Sequence, residues 1–149
     1  MIDTFANRIV GWKVSRSAKT DFVSNALEQA LYARRLVHKG GLIRHSDRGG
    51  QYVSIRYTER LAKAGIEPSV GSVGDASDYA LAETINGLYK TEATRMRKSW
   101  RTIEKVETET LKWVNWFNHR RLLEPIGNIP PAEAEEAFHA NLNTLDRVA

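Results

Sequence analysis

Asp47 and Glu83 are the two acidic residues whose settings best suit metal-assisted chemistry. Asp47 follows the short apolar segment Leu42–His45 and is itself followed by a glycine pair, so its carboxylate is expected at the open end of a sheet, where α/β folds bind ligands. Glu83 falls early in a long predicted helix. Because Mg²⁺ prefers oxygen ligands, two carboxylates on separate elements are a natural way to hold a divalent cation.

A polar stripe is predicted on the helix that carries Glu83. Four residues recur at the i, i+3, i+4, i+7 spacing of one helix face: Glu83, Asn86, Gly87 and Lys90. The opposite side is apolar: Leu81, Ile85 and Leu88. The stripe therefore combines a carboxylate, an amide and an ammonium group. A plainer alternative is that Asp47 caps a turn and the stripe is an ordinary solvated face, and spacing alone favours this alternative.

The elements that must position these residues alternate between strands and helices, which favours an α/β layer architecture. Short runs of β-branched and aromatic residues predict strands over Ile2–Phe5, Arg8–Val14, Leu42–His45 and Ile66–Val70. Apolar residues at helical spacing predict helices over Asp21–Val37, Ser54–Ala64, Asp78–Arg97, Thr102–Arg121 and Ala132–Asn141. A tight connection is expected at residues 6–7, a helix end at Gly65, and a loop over the glycine-rich residues 71–77.

Composition narrows the class of protein. The chain has 149 residues, of which 42% are hydrophobic and 27% charged, as in ordinary globular domains. It contains no cysteine, which excludes disulfides, thiolate metal sites and a cysteine nucleophile. It also has no long apolar run and no signal-peptide pattern at its start, so a soluble, intracellular protein without a membrane partner is expected.

Charge is unevenly distributed along the chain. Residues 1–121 include 21 basic and 13 acidic residues, whereas residues 122–149 include one basic and five acidic residues. The excess of basic residues over 1–121 suits a polyanionic partner such as DNA, because each Lys or Arg at a phosphate releases counterions. A solvated surface that happens to be basic explains the charge equally well.

Several segments, in the same order along the chain, resemble insertion-sequence transposases with a retroviral-integrase-type core of the Asp-Asp-Glu type. His-Ser-Asp-Arg-Gly-Gly-Gln-Tyr at 45–52 is similar to the segment around the second acidic residue of that family. The 35 residues between Asp47 and Glu83 match the family's spacing from its second to its third acidic residue. Residues 3–12 and 116–132 resemble the segment after the family's first strand and its closing motif.

This resemblance implies a ribonuclease-H-like fold, a mixed sheet flanked by helices. It also implies DNA cutting and joining by transesterification with two Mg²⁺ or Mn²⁺ ions held by carboxylates. Asp47 and Glu83 would be the catalytic metal ligands, Lys90 and Arg48 would contact DNA phosphates, and the loop over 71–77 would flex over the site. The implied partners are transposon-end and target DNA, and a second copy of the chain or a full-length transposase. The protein would act in the bacterial cytoplasm, at the nucleoid when bound to DNA.

One departure from the family concerns the start of the chain. The family's first catalytic Asp lies upstream of the segment matched by Ile2–Phe5, and Asp3 matches a different motif. The expectation is an integrase-type core over residues 1–121 without its first, central strand, and a tail over 122–149 with a short helix. Such a chain would be inactive alone. The alternatives are a non-catalytic fragment that binds DNA or joins a transposase through Thr102–Arg121, and a decayed remnant.

Overall fold

The structure is a computed structural model and describes residues 1–16, 20–34, 43–46, 54–70, 76–96 and 102–148. Within these residues the strands are β1 (Ile2–Asp3), β2 (Arg8–Ile9), β3 (Ile43–Ser46) and β4 (Glu67–Val70). The helices are α1 (Thr20–Arg34), α2 (Ile55–Lys63), α3 (Ala76–Met96), α4 (Ile103–His119) and α5 (Pro131–Val148), with a short 3-10 turn at Glu124–Ile126. The predicted alternation of strands and helices is confirmed over the first half of the chain.

The described strands form two separate two-stranded sheets. β1 and β2 pair antiparallel, with Ile2 opposite Ile9. β3 and β4 pair parallel along their whole length, beginning with Ile43 opposite Glu67. Parallel neighbours need a crossover connection, and α2 lies between these two strands in the sequence.

The turn between β1 and β2 lies where the sequence predicts it. It covers residues 4–7, and Asn7 has a left-handed φ of 53°. Asn adopts this conformation more readily than most side chains, because its short polar group can hydrogen-bond locally. The backbone N–H of Phe5 donates to Oδ1 of Asp3 at 2.9 Å. Since the Asp3 side chain already starts the turn, β1 ends at Asp3 rather than at the predicted Phe5.

The segment after β2 departs from the predicted strand Arg8–Val14. Gly11 lies against α1, where a Cβ built on the glycine would be only 2.0 Å from the carbonyl oxygen of Ala26. The backbone N–H of Trp12 donates to Oε1 of Gln29, also on α1, at 3.2 Å. The N–H groups of Val10 and Gly11 both donate to the carbonyl oxygen of Met1, and the residues that follow do not continue as a strand.

The chain divides into two compact units, of which the first consists of residue 1 with residues 10–88. Its core comes from α1, from α2 and from the residue before β4: Val23, Leu27, Tyr57, Leu61 and Ile66. Gly65 follows the end of α2 with a left-handed φ of 65°, the conformation in which glycine commonly ends a helix. The predicted helix end at Gly65 is therefore confirmed.

Two ion pairs join α1 to α2 at the surface of the first unit. Arg60 bonds to both carboxylate oxygens of Glu28, at 2.5 and 2.9 Å, and Arg56 bonds to Asp21 at 3.0 Å. The hydrogen bond from Arg60 holds the pKa of the Glu28 carboxyl below its ordinary value. Because these side chains are largely exposed, each pair contributes at most about 1 kcal/mol, and the apolar core supplies most of the stability.

The second unit consists of residues 2–9 and 89–149. Helix α4 is central to it and packs against α5. Its buried apolar residues come from β2 and its turn, from the end of α3, and from α4 and α5: Ala6, Ile9, Ala93, Trp113, Val114, Phe117 and Ala132. Arg8 on β2 forms an ion pair with the buried carboxylate of Glu135 on α5. Burial of this carboxylate is offset by the paired guanidinium.

Two further predicted boundaries, both of helices, are wrong. Helix α3 begins at Ala76, so residues 76 and 77 are helical rather than part of the predicted loop over 71–77, whose residues 71–75 lie outside the described residues. Helix α5 runs over Pro131–Val148 instead of Ala132–Asn141. Three residues near its start are buried: Pro131, Ala132 and Glu135.

The structure also bears on membrane association. No helix in the described part of the chain is both long enough and apolar enough to cross a membrane.

Candidate active site

Helix α3 presents the predicted polar stripe to solvent. Glu83, Asn86, Gly87 and Lys90 are all exposed, whereas Ile85 on the opposite side is buried. The helix therefore carries an exposed carboxylate and, two turns later, an exposed ammonium group. The predicted amphipathic character of this helix is confirmed.

The other half of the predicted site lies outside the described residues. Asp47 and Arg48 both fall there, so the approach of Asp47 to Glu83 stays a prediction, as does a phosphate contact by Arg48. The strand expected to lead into Asp47 is present, because β3 ends at the preceding residue. Of the four predicted site residues, the structure describes Glu83 and Lys90, and both are exposed on α3.

The donor chemistry of this face fits a hard divalent cation in part. Glu83 is exposed and offers two carboxylate oxygens, the ligand type that Mg²⁺ and Mn²⁺ prefer. Among the residues that the structure describes, no group of three or more acidic, histidine or cysteine side chains could hold a metal ion. The described residues by themselves therefore do not make up a metal site, and the pairing of Asp47 with Glu83 stays a prediction.

The last turns of α3 are held against α4 by polar contacts that the sequence did not predict. The carboxylate of Glu92 accepts hydrogen bonds from Nε1 of Trp113 at 2.7 Å and from Nη1 of Arg121 at 2.5 Å. The hydroxyl groups of Tyr89 and Thr110 lie 2.7 Å apart. The ring of Tyr89 also meets Trp113 edge-on, with 5.2 Å between ring centroids. Such contacts fix which side of α3 faces α4.

The segment that resembles the family's closing motif has a structural role in the second unit. Asn118 accepts a hydrogen bond from the N–H of Ile9 at 3.0 Å and donates one to the C=O of Ile9 at 2.9 Å, as a neighbouring strand would. The Arg121 guanidinium lies 5.3 Å from the ring centroid of Trp116 and 5.8 Å from that of Phe117. In the sequence, Asn118 and Arg121 stood out only because they lie in the segment that resembles this motif.

Comparison with models of protein families identifies the family of this chain. Two family models, each described as Integrase core domain, match it, one over residues 1–76 and the other over residues 64–131. The first match alone covers more than half of the 149 residues. The chain therefore belongs to the integrase core domain family.

Its relatives include transposases of bacterial insertion elements. The transposase for insertion sequence element IS629 of Shigella sonnei is 54% identical over 149 residues, which is 100% of this chain and 49% of that protein. The putative transposase for insertion sequence element IS986/IS6110 of Mycobacterium tuberculosis is 53% identical over 141 residues, 93% of this chain and 51% of that protein. The predicted resemblance to insertion-sequence transposases is confirmed, and the chain spans about half the length of these relatives.

Two solved structures show the fold. The HTLV-2 integrase catalytic core domain, in complex with magnesium and in a trimeric form, matches with a TM-score of 0.61 and 17% identity over 89% of this chain and 80% of that chain. A chain of a simian T-cell lymphotropic virus intasome, solved in complex with a PP2A regulatory subunit, matches with a TM-score of 0.68 and 17% identity over 89% of this chain and 45% of that chain. The predicted ribonuclease-H-like α/β class is confirmed.

Proposed function

We propose that this chain forms part of the catalytic core of an insertion-element transposase and takes part in DNA transposition by metal-dependent phosphoryl transfer. The observation that carries the proposal is the exposed stripe of α3, with Glu83 and Lys90 on one face. It is supported by family membership and by 53–54% identity to insertion-element transposases. DNA is the substrate in this proposal, at both the transposon ends and the target.

Asp47 and Glu83 are the proposed metal ligands and catalytic residues. When bound, two Mg²⁺ or Mn²⁺ ions would supply an activated hydroxyl nucleophile and stabilise the leaving oxygen of the phosphate. The contribution of this chain is to hold the two carboxylates, one after the end of β3 and one on helix α3. The magnesium bound to the HTLV-2 core, a protein of the same fold, supports this choice of cation.

Lys90 and Arg48 are the proposed DNA contacts. Lys90 is exposed two turns beyond Glu83, so its ammonium group can meet a backbone phosphate close to the carboxylate that serves the reaction. Phosphate contacts of this kind position DNA without reading its sequence, and they weaken as salt rises. The working protein would be bacterial and cytoplasmic, and it would assemble with a second copy of this chain or with a full-length transposase.

Replacing Glu83 with Gln tests the metal site in the chain itself. With Fe²⁺ in place of Mg²⁺, ascorbate and peroxide produce hydroxyl radicals at the bound ion, and these radicals cut the polypeptide close to the metal ligands. We expect cuts near residues 47 and 83 that excess Mg²⁺ suppresses. Glu83→Gln should remove these cuts, because an amide is a weaker ligand than a carboxylate for a hard cation. Mass spectrometry locates the cleavage positions.

Glu59→Gln is the matched control for this experiment. Glu59 is an exposed carboxylate on α2, so its replacement changes the charge equally and should leave the cuts unchanged. Asp47→Asn should behave like Glu83→Gln. Cuts that persist in Glu83→Gln, or that map to neither of the two positions, would contradict the proposed site.

A further inference from the structure

We propose that Glu92 is a positioning residue, which sets the rotation of α3 against α4 and so directs Lys90 toward DNA. The inference rests on the proposed function, since it assumes that Lys90 contacts a phosphate. It assigns to Glu92 a role in DNA contact although its own charge has the wrong sign for binding DNA.

The first support is the number and direction of the bonds that Glu92 makes. Its two carboxylate oxygens accept from two donors on different parts of the chain, Trp113 within α4 and Arg121 just beyond it. Two bonds in different directions restrain a helix against rotation better than one bond does. The Tyr89–Thr110 hydroxyl contact, one turn earlier on α3, adds a third restraint along the same side.

The second support is the position of Lys90 around the helix. Successive residues of an α-helix are about 100° apart, so Lys90 lies about 200° from Glu92 and nearly opposite to it. The structure agrees, since Lys90 is exposed while Glu92 is partly buried. A rotation of α3 that loosened the contacts of Glu92 would therefore swing Lys90 by a comparable angle, and the end of its long side chain would move furthest.

The third support is the donor chemistry of the two partners of Glu92. Trp113 Nε1 donates to one carboxylate oxygen of Glu92 and Arg121 Nη1 donates to the other, so each oxygen serves one donor. A glutamine at this position has one acceptor oxygen and one NH₂ donor. It would leave one donor without its bond, and the contact between α3 and α4 would have to shift.

The effect of Glu92→Gln on DNA binding separates positioning from general electrostatics. Loss of one negative charge raises the formal net charge above +4, which by itself should strengthen DNA binding. Positioning predicts the opposite sign. We expect the Kd of the chain for a short mixed-sequence DNA duplex to rise about threefold in Glu92→Gln, and about threefold to tenfold in Lys90→Ala with a salt slope smaller by about 1.

A double-mutant cycle on this Kd provides the decisive readout. If Glu92 acts through Lys90, then Glu92→Gln should change the Kd in the parent chain and leave it nearly unchanged in the Lys90→Ala background. A merely structural role would weaken binding equally in both backgrounds and would overturn the inference. An unchanged or stronger affinity in Glu92→Gln alone would also overturn it.

Two further variants keep the test decisive. Tyr89→Phe removes one hydroxyl of the same contact surface and should show the same dependence on Lys90, which matters if Glu92→Gln fails to fold. Glu133→Gln removes an exposed carboxylate from α5 and should leave the affinity the same or slightly stronger. If Lys90→Ala leaves both the Kd and the salt slope unchanged, the proposed DNA contact of Lys90 fails, and with it the inference.

Discussion

Replacing Gly11 with Ala should destabilise the first unit by about 3 kcal/mol. The added Cβ would lie 2.0 Å from the carbonyl oxygen of Ala26 and 3.3 Å from the backbone nitrogen of Ala30. Both atoms belong to the backbone of α1, so neither can move aside unless the helix moves. The same helix supplies Val23 and Leu27 to the core of this unit. Urea unfolding followed by circular dichroism measures the loss.

Gly87→Ala is the matched control and should have the opposite sign. A Cβ built on Gly87 has no neighbour within 4 Å, and the residue lies inside α3 on its exposed face. Alanine restricts the unfolded chain and favours the helix, so this variant should gain about 0.5 to 1 kcal/mol. A cost below about 1 kcal/mol for Gly11→Ala would show that the glycine does not approach α1 this closely in solution.

Replacing Asn118 with Ala should destabilise the second unit by about 3 kcal/mol. Asn118 and Ile9 are both buried, and the Asn118 side chain bonds to both the N–H and the C=O of Ile9. Alanine would leave both backbone groups of Ile9 buried without these partners, at about 1 to 3 kcal/mol for each group. Asn115→Ala, on the exposed face of the same helix, should cost less than about 0.5 kcal/mol.

Asn118→Asp adds a pH-dependent version of the same test. The ionised carboxylate can accept from the N–H of Ile9 and cannot donate to its C=O, whereas the protonated carboxyl can do both. Burial therefore raises the folded-state pKa of the introduced carboxyl group above its unfolded value. Its stabilising bonds should be fully present below the unfolded pKa of about 3.9 and should be lost as pH rises through the folded pKa. A stability difference from the parent chain that does not shrink as pH falls would contradict the assigned bonds.

Local signals in the sequence predicted the fold where a short stretch of chain decides the structure. The end of α2 at Gly65 and the turn at Asn7 depend on backbone conformations that glycine and asparagine adopt at low cost. Helix α4 lies within two residues of its predicted bounds, because its apolar residues repeat at helical spacing. Helix α5 was predicted too short, because it begins at Pro131 and continues to Val148 instead of ending at Asn141.

The part of the candidate site that depends on local sequence patterns could also be predicted. The stripe from Glu83 to Lys90 follows from helical periodicity, and the structure confirms that it is exposed. The pairing of Asp47 with Glu83 depends on how distant segments meet, and it stays a prediction. The role of Glu92 could not be predicted from the sequence. A carboxylate near the end of a helix is common, and only the structure shows that Trp113 and Arg121 donate to it.

The sequence by itself determined which residues share a helix face, where turns can form and which family the chain resembles. These properties depend on neighbours within about two helical turns and on the order of short motifs. Tertiary structure alone decided that Asn118 completes the hydrogen bonding of Ile9, that Gly11 must lack a side chain, and that Glu92 joins α3 to α4. Each of these contacts joins residues far apart in the chain. A buried polar group needs a hydrogen-bond partner, and a closely packed backbone leaves no room for a side chain, so only the folded arrangement decides which residues meet these needs.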